Sequence, residues 1–261
     1  MSMLEAVLWD VDGTIAETER DGHRVAFNQA FEACGLRWRW DEARYGELLR
    51  VTGGRERLLH DMHTRADAPV LSGERDALAR VVHAKKNTLY ADIVDTGLIP
   101  LREGVASLMA QCRAHGVRMG IATTTSRANV DALFRRHLGA QWARQFAAIV
   151  CGEDVQRKKP DPGVYMQALH LLGVGPLEAI AIEDSPGGVA AARAAGIPVI
   201  VTRSAYFERS TVEGALAIGP GLHTRCGWQP ALRASAGDHQ PVGLDDIEAW
   251  RAEMDTVSRF E

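Results

Sequence analysis

The chain has 261 residues, 46% of them hydrophobic and 25% charged, enough to bury the core of one large domain or of one domain carrying a smaller one. Lys and Arg number 30 against 34 Asp and Glu, a formal net charge of −4, which disfavours nonspecific binding to nucleic acid or anionic membrane. The start MSMLEAVLWD lacks a signal-peptide pattern, no apolar run reaches the ~18–20 residues that span a bilayer, and Cys34, Cys112, Cys151 and Cys226 form no CxxC pair, so a soluble, cytoplasmic, monomeric protein with free thiols is expected.

The first predicted strand is AVLWD, residues 6–10, and it runs into DVDGT with Asp10 and Asp12 one residue apart. From 17 to 95 the pattern is helical, as in HRVAFNQAFEACG and DALARVVHAKKNTLYADIV, with no convincing strand. Within this stretch LRWRW is expected to pack, and His60 and His63 share a helix face without a third metal ligand. Val105, Leu108, Met109 and Cys112 then form one helical stripe ending at Gly116, a C-cap residue. A strand, VRMGIATTT, precedes a second helical stripe of Val130, Leu133, Phe134 and Leu138. The strands AAIVCG, AIAIEDS and IPVIVT follow, and Asp161-Pro162 and Ser185-Pro186 each read as an N-cap with proline at the first helical position. Residues 219–243 are rich in Gly and Pro and read as loop, and LDDIEAWRAEM as a closing amphipathic helix.

Almost wholly apolar strands alternating with helices predict an α/β fold with a parallel sheet covered on both faces. The helical stretch reads as an insertion after the first strand, giving a core of residues 1–16 and 96–261 and an inserted helical subdomain of residues 17–95.

In such sheets functional groups gather beyond the carboxyl ends of the strands. Asp10 and Asp12 end the first strand, Thr123 the second and Glu183 and Asp184 the fourth, while Lys159 in KKPDP follows the third. Three carboxylates, from Asp10, Asp12 and Asp184, repel one another unless a hard cation compensates them, and Mg²⁺ prefers such oxygen ligands. Metal-assisted phosphoryl transfer is the chemistry this set suits. Asp10 would attack phosphorus, Asp12 would serve as acid and then base, and Thr123 and Lys159 would bind the transferring oxygens. The expected metal positions are Asp10, Asp12 through its carbonyl, Asp184, and Glu183 nearby or through water. Thr124, Ser126 and Asn129 are expected to reach sugar or phosphate oxygens, with Arg127 as an alternative, and Gly53 and Gly54 to offer backbone N–H groups to a phosphate. Glu17 either orients a sugar hydroxyl or is a solvated loop carboxylate.

DVDGT, ATTTS, KKPDP and IEDSPGG resemble, in order, the four motifs of the haloacid dehalogenase superfamily. That resemblance implies a Rossmann-like core with an α-helical cap, and an aspartate at position 12 is what its phosphatases and phosphomutases carry. AETERDGHRVAFNQAF, TGGRERL, HAKK and GIATTTSRANVDAL are similar to the CbbY family, phosphatases of xylulose-1,5-bisphosphate found with Calvin-cycle genes. The resemblance implies that the core holds the phosphate being cleaved while the cap holds the remote one, with Glu17, His23, Arg55 and Lys86 at the matching positions. Arg55 stands where the family often has lysine. The competing expectations are a phosphosugar mutase resembling β-phosphoglucomutase, a phosphatase for another small ester, and a non-catalytic binding protein on the same fold.

Overall fold

A computed structural model describes residues 3–231 and 239–257, with side chains up to residue 253. Six parallel strands form one sheet in the order β3-β2-β1-β4-β5-β6: β1 (Ala6–Trp9), β2 (Arg118–Ala122), β3 (Ala148–Val150), β4 (Ala179–Glu183), β5 (Val199–Thr202) and β6 (Ala217–Gly219). The chain builds outward from β1 to β2 and β3, then returns to the other side of β1 with β4. The strand order therefore reverses between β1 and β4, where ligands of open α/β sheets bind.

Period-two alternation sorts the strand residues onto two faces. Val7, Trp9, Ile180, Ile182 and Ile200 enter one buried cluster, and Ala6, Leu8, Ala179, Ala181, Val199 and Val201 enter the other. The first face is covered by α5 (Val105–Ala114) and α6 (Arg127–Leu138), the second by α7 (Gly163–Leu172) and α8 (Pro186–Ala194). The cap signals behave differently at the two Pro sites. Ser185 accepts from the Gly188 N–H at 3.1 Å, as expected, with Pro186 opening α8. At the other site α7 starts one residue later than expected: Pro162 stands at the N-cap, and Asp161 instead accepts from the Gly163 N–H at 2.9 Å.

Between β1 and β2 the regular structure is helical: a single π-helical turn at Glu19–His23, then α1 (Arg24–Ala33), α2 (Glu42–Leu48), α3 (Gly54–Met62) and α4 (Ser72–Asp95). This block has its own aromatic core, in which Trp40 lies 4.7 Å from Phe27 and 4.9 Å from Phe31, ring centre to ring centre. LRWRW does pack: Trp38 and Trp40 are buried, and Trp40 Nε1 donates to Asp61 at 2.7 Å. The two chain crossings between block and sheet run side by side, with Ala16 and Leu101 bridged antiparallel and the Arg102 N–H donating to the Ile15 carbonyl at 2.8 Å.

Strand β6 is not among the elements predicted from the sequence, and it meets the loop expected over 219–243 at Gly219 alone; the described part of that stretch is otherwise irregular. The strand has only three residues, its middle one is half-buried, and Ile218 also pairs with Gln229. Of that expected loop, residues 232–238 lie outside the described residues. The closing helix α9 (Leu244–Val257) is present, and Trp250 packs on Trp228 at 4.7 Å between ring centres. Trp228 is 2% exposed and sits where a side chain on Gly219 would fall, at 2.2 Å. Trp228→Ala should therefore cost roughly 3–5 kcal/mol, the range for a buried aromatic truncated to alanine. Urea unfolding would read this, and a loss below about 1 kcal/mol, the ordinary surface range, would show that the C-terminal segment is not part of the core.

Candidate active site

The carboxyl ends of β1 and β4 are neighbours in register, Trp9 opposite Ile182, so Asp10 emerges beside Glu183 and Asp184. These three carboxylates each offer an oxygen within 4.8 Å of the others, and all three residues are buried. Lys159 Nζ stands between two of them, 2.7 Å from Asp10 and 2.6 Å from Glu183. Burial raises the Asp10 carboxyl to about 7, with Glu183 adding to the rise and Lys159 opposing it. Burial also holds Asp184 well above the usual carboxylate range, helped by Asp10 and Glu183, and the Ser204 hydroxyl at 2.6 Å opposes it. Lys159 is held above an ordinary lysine because Asp10 and Glu183 outweigh its burial.

Two glycines make room for these groups. A Cβ on Gly13, at φ +85°, would fall 2.0 Å from Asp184 Oδ2, and one on Gly188 would fall 1.9 Å from Glu183 Oε2. Glu183 is the most tightly held of the three. Its Oε1 accepts from Lys159 and from the Tyr165 hydroxyl at 2.6 Å, and its Oε2 from the Asp184 N–H at 3.3 Å and the Ser185 hydroxyl at 3.4 Å.

Asp12 points to a different set of partners. Its Oδ1 accepts from the Thr18 hydroxyl at 2.5 Å and from His23 Nε2 at 2.9 Å, while Lys86 Nζ lies 2.8 Å from His23 Nδ1. While Lys86 is charged it can only donate, which leaves His23 Nδ1 to accept and Nε2 to donate to Asp12. Burial pushes Asp12 up, but His23, Thr18 and Lys86 overcome it and hold the carboxyl at about 2. Burial pulls Lys86 down to about 7 against the fields of Asp12 and Glu19. The structure thus ties His23 and Lys86, expected by resemblance at the remote phosphate, to Asp12, although both also line the cavity described next.

A cavity of about 320 Å³ lies between the helical block and the sheet. Expected residues in its wall are Asp12, His23, Gly53, Gly54, Arg55, Lys86, Thr124, Ser126 and Asn129. A smaller chamber of about 60 Å³ is walled by Asp10, Lys159 and Asp184 among others, and Asp12, Glu19, Arg57 and Thr124 line both. Thr123 is buried at the end of β2, with its Oγ1 accepting from the Thr125 N–H at 3.3 Å, and is in neither lining. Ser126 caps α6 and Arg127 is turned to Asp154 at 2.5 Å. Glu17 is in neither lining: it lies 3.6 Å from Arg102 Nε and 3.3 Å from the Ala205 N–H.

The wall residues without a sequence expectation include Glu19, Arg57, His83 and Lys158. Glu19 accepts from the Tyr45 hydroxyl at 2.5 Å, and Arg57 donates to the same hydroxyl at 2.8 Å. His83 is pushed down to about 4 by burial and by the neighbouring Lys86, His23, Lys158 and Arg55. Lys158 has a sequence signal, since KKPDP offers two adjacent lysines, and the first lies in the cavity wall.

Residues 4–196 match the model of the haloacid dehalogenase-like hydrolases. A CbbY protein of Cupriavidus necator is 41% identical over 247 residues, covering 95% of this chain and 96% of its own, and one of Rhodobacter capsulatus is 44% identical over 78% of this chain and 87% of its own. The crystal structure of a CbbY mutant from Rhodobacter sphaeroides in complex with xylulose-(1,5)-bisphosphate superposes with a TM-score of 0.79 at 36% identity, over 94% of this chain and 99% of that one. The chain belongs to the haloacid dehalogenase-like hydrolases and, within them, to the CbbY proteins. It is an enzyme, a hydrolase of phosphoric monoesters. No helix among the described residues is long and apolar enough to cross a membrane.

The Asp12–His23–Lys86 chain makes a pH prediction. In metal-free protein Lys86 Nζ should titrate near pH 7, and Asp12→Asn should move that midpoint lower, because ionised Asp12 favours the charged ammonium. Lysine side-chain NMR measures both midpoints; a wild-type value near that of free lysine, or an upward move in the variant, would contradict the arrangement.

Proposed function

We propose that the protein is a Mg²⁺-dependent phosphatase that cleaves xylulose-1,5-bisphosphate to xylulose-5-phosphate through an aspartyl-phosphate on Asp10. The observation that carries this is the pair of joined chambers. The smaller holds the nucleophile and Lys159, with room for one phosphoryl group. The larger has cationic groups distant from the nucleophile, which a monophosphate would leave unused. Arg55 Nη2 pairs with Asp76 at 2.8 Å, while its buried Nε has no protein partner among the described residues. Lys158 and the uncapped N-terminus of α3 at Gly53 and Gly54 adjoin it. These groups suit a second phosphate, and the ligand of the Rhodobacter sphaeroides protein supports a pentulose bisphosphate as its carrier.

An Asp10 oxygen attacks phosphorus as the ester P–O bond breaks, and Asp12 gives the leaving oxygen a proton. His23 Nε2–H lies in place to supply that proton to Asp12 as Lys86 Nζ gives one to His23 Nδ1, so that the imidazole stays neutral and the lysine is left as the amine. Water then attacks phosphorus and loses its proton to Asp12, and the acyl-phosphate bond breaks to return Asp10 and release inorganic phosphate. Lys159 and Thr124, both in the wall of the smaller chamber, bind the equatorial oxygens, while Thr123, in neither lining, accepts from the Thr125 N–H and holds the turn after β2. The donor set fits a hard divalent cation: the clustered carboxylates have a single buried lysine among them, and Asp10 and Asp184 are pushed upward despite Lys159 beside Asp10 and the field of Arg102 on Asp184. Mg²⁺ held by Asp10, Asp184 and the Asp12 carbonyl would supply that charge beside the phosphoryl oxygens. Glu183, with both oxygens engaged by protein, anchors Lys159 instead of ligating directly. Residues 17–95 act as the lid over the chambers.

Phosphate release from sugar mono- and bisphosphates tests this. Arg55→Ala should lower kcat/KM for the bisphosphate roughly tenfold or more, the loss of one charged hydrogen bond, and barely affect p-nitrophenyl phosphate. His23→Ala and Lys86→Ala should lower turnover on both substrates, because they act through Asp12. A wild-type preference for a hexose monophosphate, or interconversion of sugar phosphates without phosphate release, would defeat the assignment.

A further inference from the structure

One half-buried guanidinium sits where the chain crossings and the ends of β1, β5 and β6 meet. Arg102 Nη1 donates to the Gly13 carbonyl, to Thr202 Oγ1 at 3.1 Å and to the Thr202 carbonyl at 3.3 Å. Its Nη2 donates to the carbonyls of Arg203 at 2.6 Å and Pro220 at 3.2 Å. Its Nε faces Glu17 at 3.6 Å, and its side chain is only 14% exposed. The planar fork of arginine serves such a spread of acceptors, which the single ammonium of lysine cannot span.

These partners are the outer walls of the Asp184 site. Gly13 follows Asp12 directly and abuts the Asp184 carboxylate, with space for no side chain between them. Two residues beyond Thr202, the Ser204 hydroxyl donates to Asp184 Oδ2 at 2.6 Å. The next residue, Ala205, donates its N–H to Glu17 at 3.3 Å, closing a ring that returns to Arg102. Arg102 thus grips the loop carrying the Asp12 carbonyl and the segment orienting Asp184, and lines neither chamber itself.

We infer that Arg102 is the positioning residue of the metal site: by tying Gly13, Thr202 and Arg203 to one guanidinium it sets the direction of the Asp184 carboxylate and of the Asp12 carbonyl, and with them the affinity for a divalent cation. This rests on the metal assignment proposed above. A purely structural hub would lower stability when removed and leave cation affinity intact in the molecules that still fold. A positioning residue lowers the affinity of the folded protein.

The discriminating experiment is a Mn²⁺ titration by electron paramagnetic resonance, without substrate, on the full-length wild type, Arg102→Lys and Thr202→Val, each first shown to be folded by circular dichroism. Arg102→Lys should weaken Mn²⁺ binding roughly tenfold or more, the usual scale for groups that orient metal ligands. Thr202→Val, which removes one of the acceptors, should give a smaller loss in the same direction. KM for p-nitrophenyl phosphate at saturating Mg²⁺ should change little in either. Folded Arg102→Lys that binds Mn²⁺ as tightly as wild type would overturn the inference; if that variant does not fold, unchanged affinity in Thr202→Val overturns it instead. Wild type that binds no Mn²⁺ would overturn the metal assignment and the inference together, before any variant is measured.

Discussion

The structure depends on placing Asp10, Glu183 and Asp184 together, out of water, with one lysine among them. Like charges at such separations oppose one another, and burial adds a further penalty to each ionised form. The fold meets this cost with a rigid frame. Adjacent parallel strands fix where the carboxylates emerge, Tyr165 and Lys159 lock Glu183, and Ser204 holds Asp184. In the proposed reaction the remaining negative charge is what a divalent cation would offset, and that cation would in turn attract the phosphoryl group.

Asp12 links this frame to the helical block. Its backbone belongs to the loop after β1, yet its side chain is held by Thr18 and by His23, which Lys86 on α4 supports. The orientation of Asp12 and the seating of the block on the sheet are therefore not independent. The rigidity of the block comes from its own aromatic cluster, and its attachment from the paired crossings at Ala16 and Leu101. Arg102 stands on one of those crossings and reaches the loop that carries Asp12.

Much of this was legible in the sequence, for identifiable reasons. Runs such as AVLWD and AIAIEDS announce strands by apolar continuity, and an acidic residue directly after such a run has few purely structural explanations. Asp10 and Asp184 follow from that rule, and Lys159 from KKPDP after the third strand taken together with the other strand-end groups. What escaped had no local signature. β6 is too short to show a period, and α7 begins after Pro162 because Asp161 bonds to the Gly163 N–H in place of capping from the N-cap position. Lys86 and His23 were singled out by resemblance, but their partnership spans 63 positions and no pattern within either segment encodes it. Glu19 and Arg57 look like ordinary helical charges until folding brings them to Tyr45. Glu17, two positions before Glu19, lies on the chain crossing and turns to Arg102 and Ala205 instead of to the cavity.

The central claim is that phosphate passes through a covalent bond to Asp10. The most direct measurement is a rapid acid quench of the enzyme turning over a substrate labelled with radioactive phosphate, followed by peptide mapping. The account predicts label on the peptide containing Asp10, appearing before free phosphate and chasing into it on addition of unlabelled substrate. Full release of labelled phosphate with no labelled protein at any time, under conditions that preserve an acyl phosphate, would contradict it.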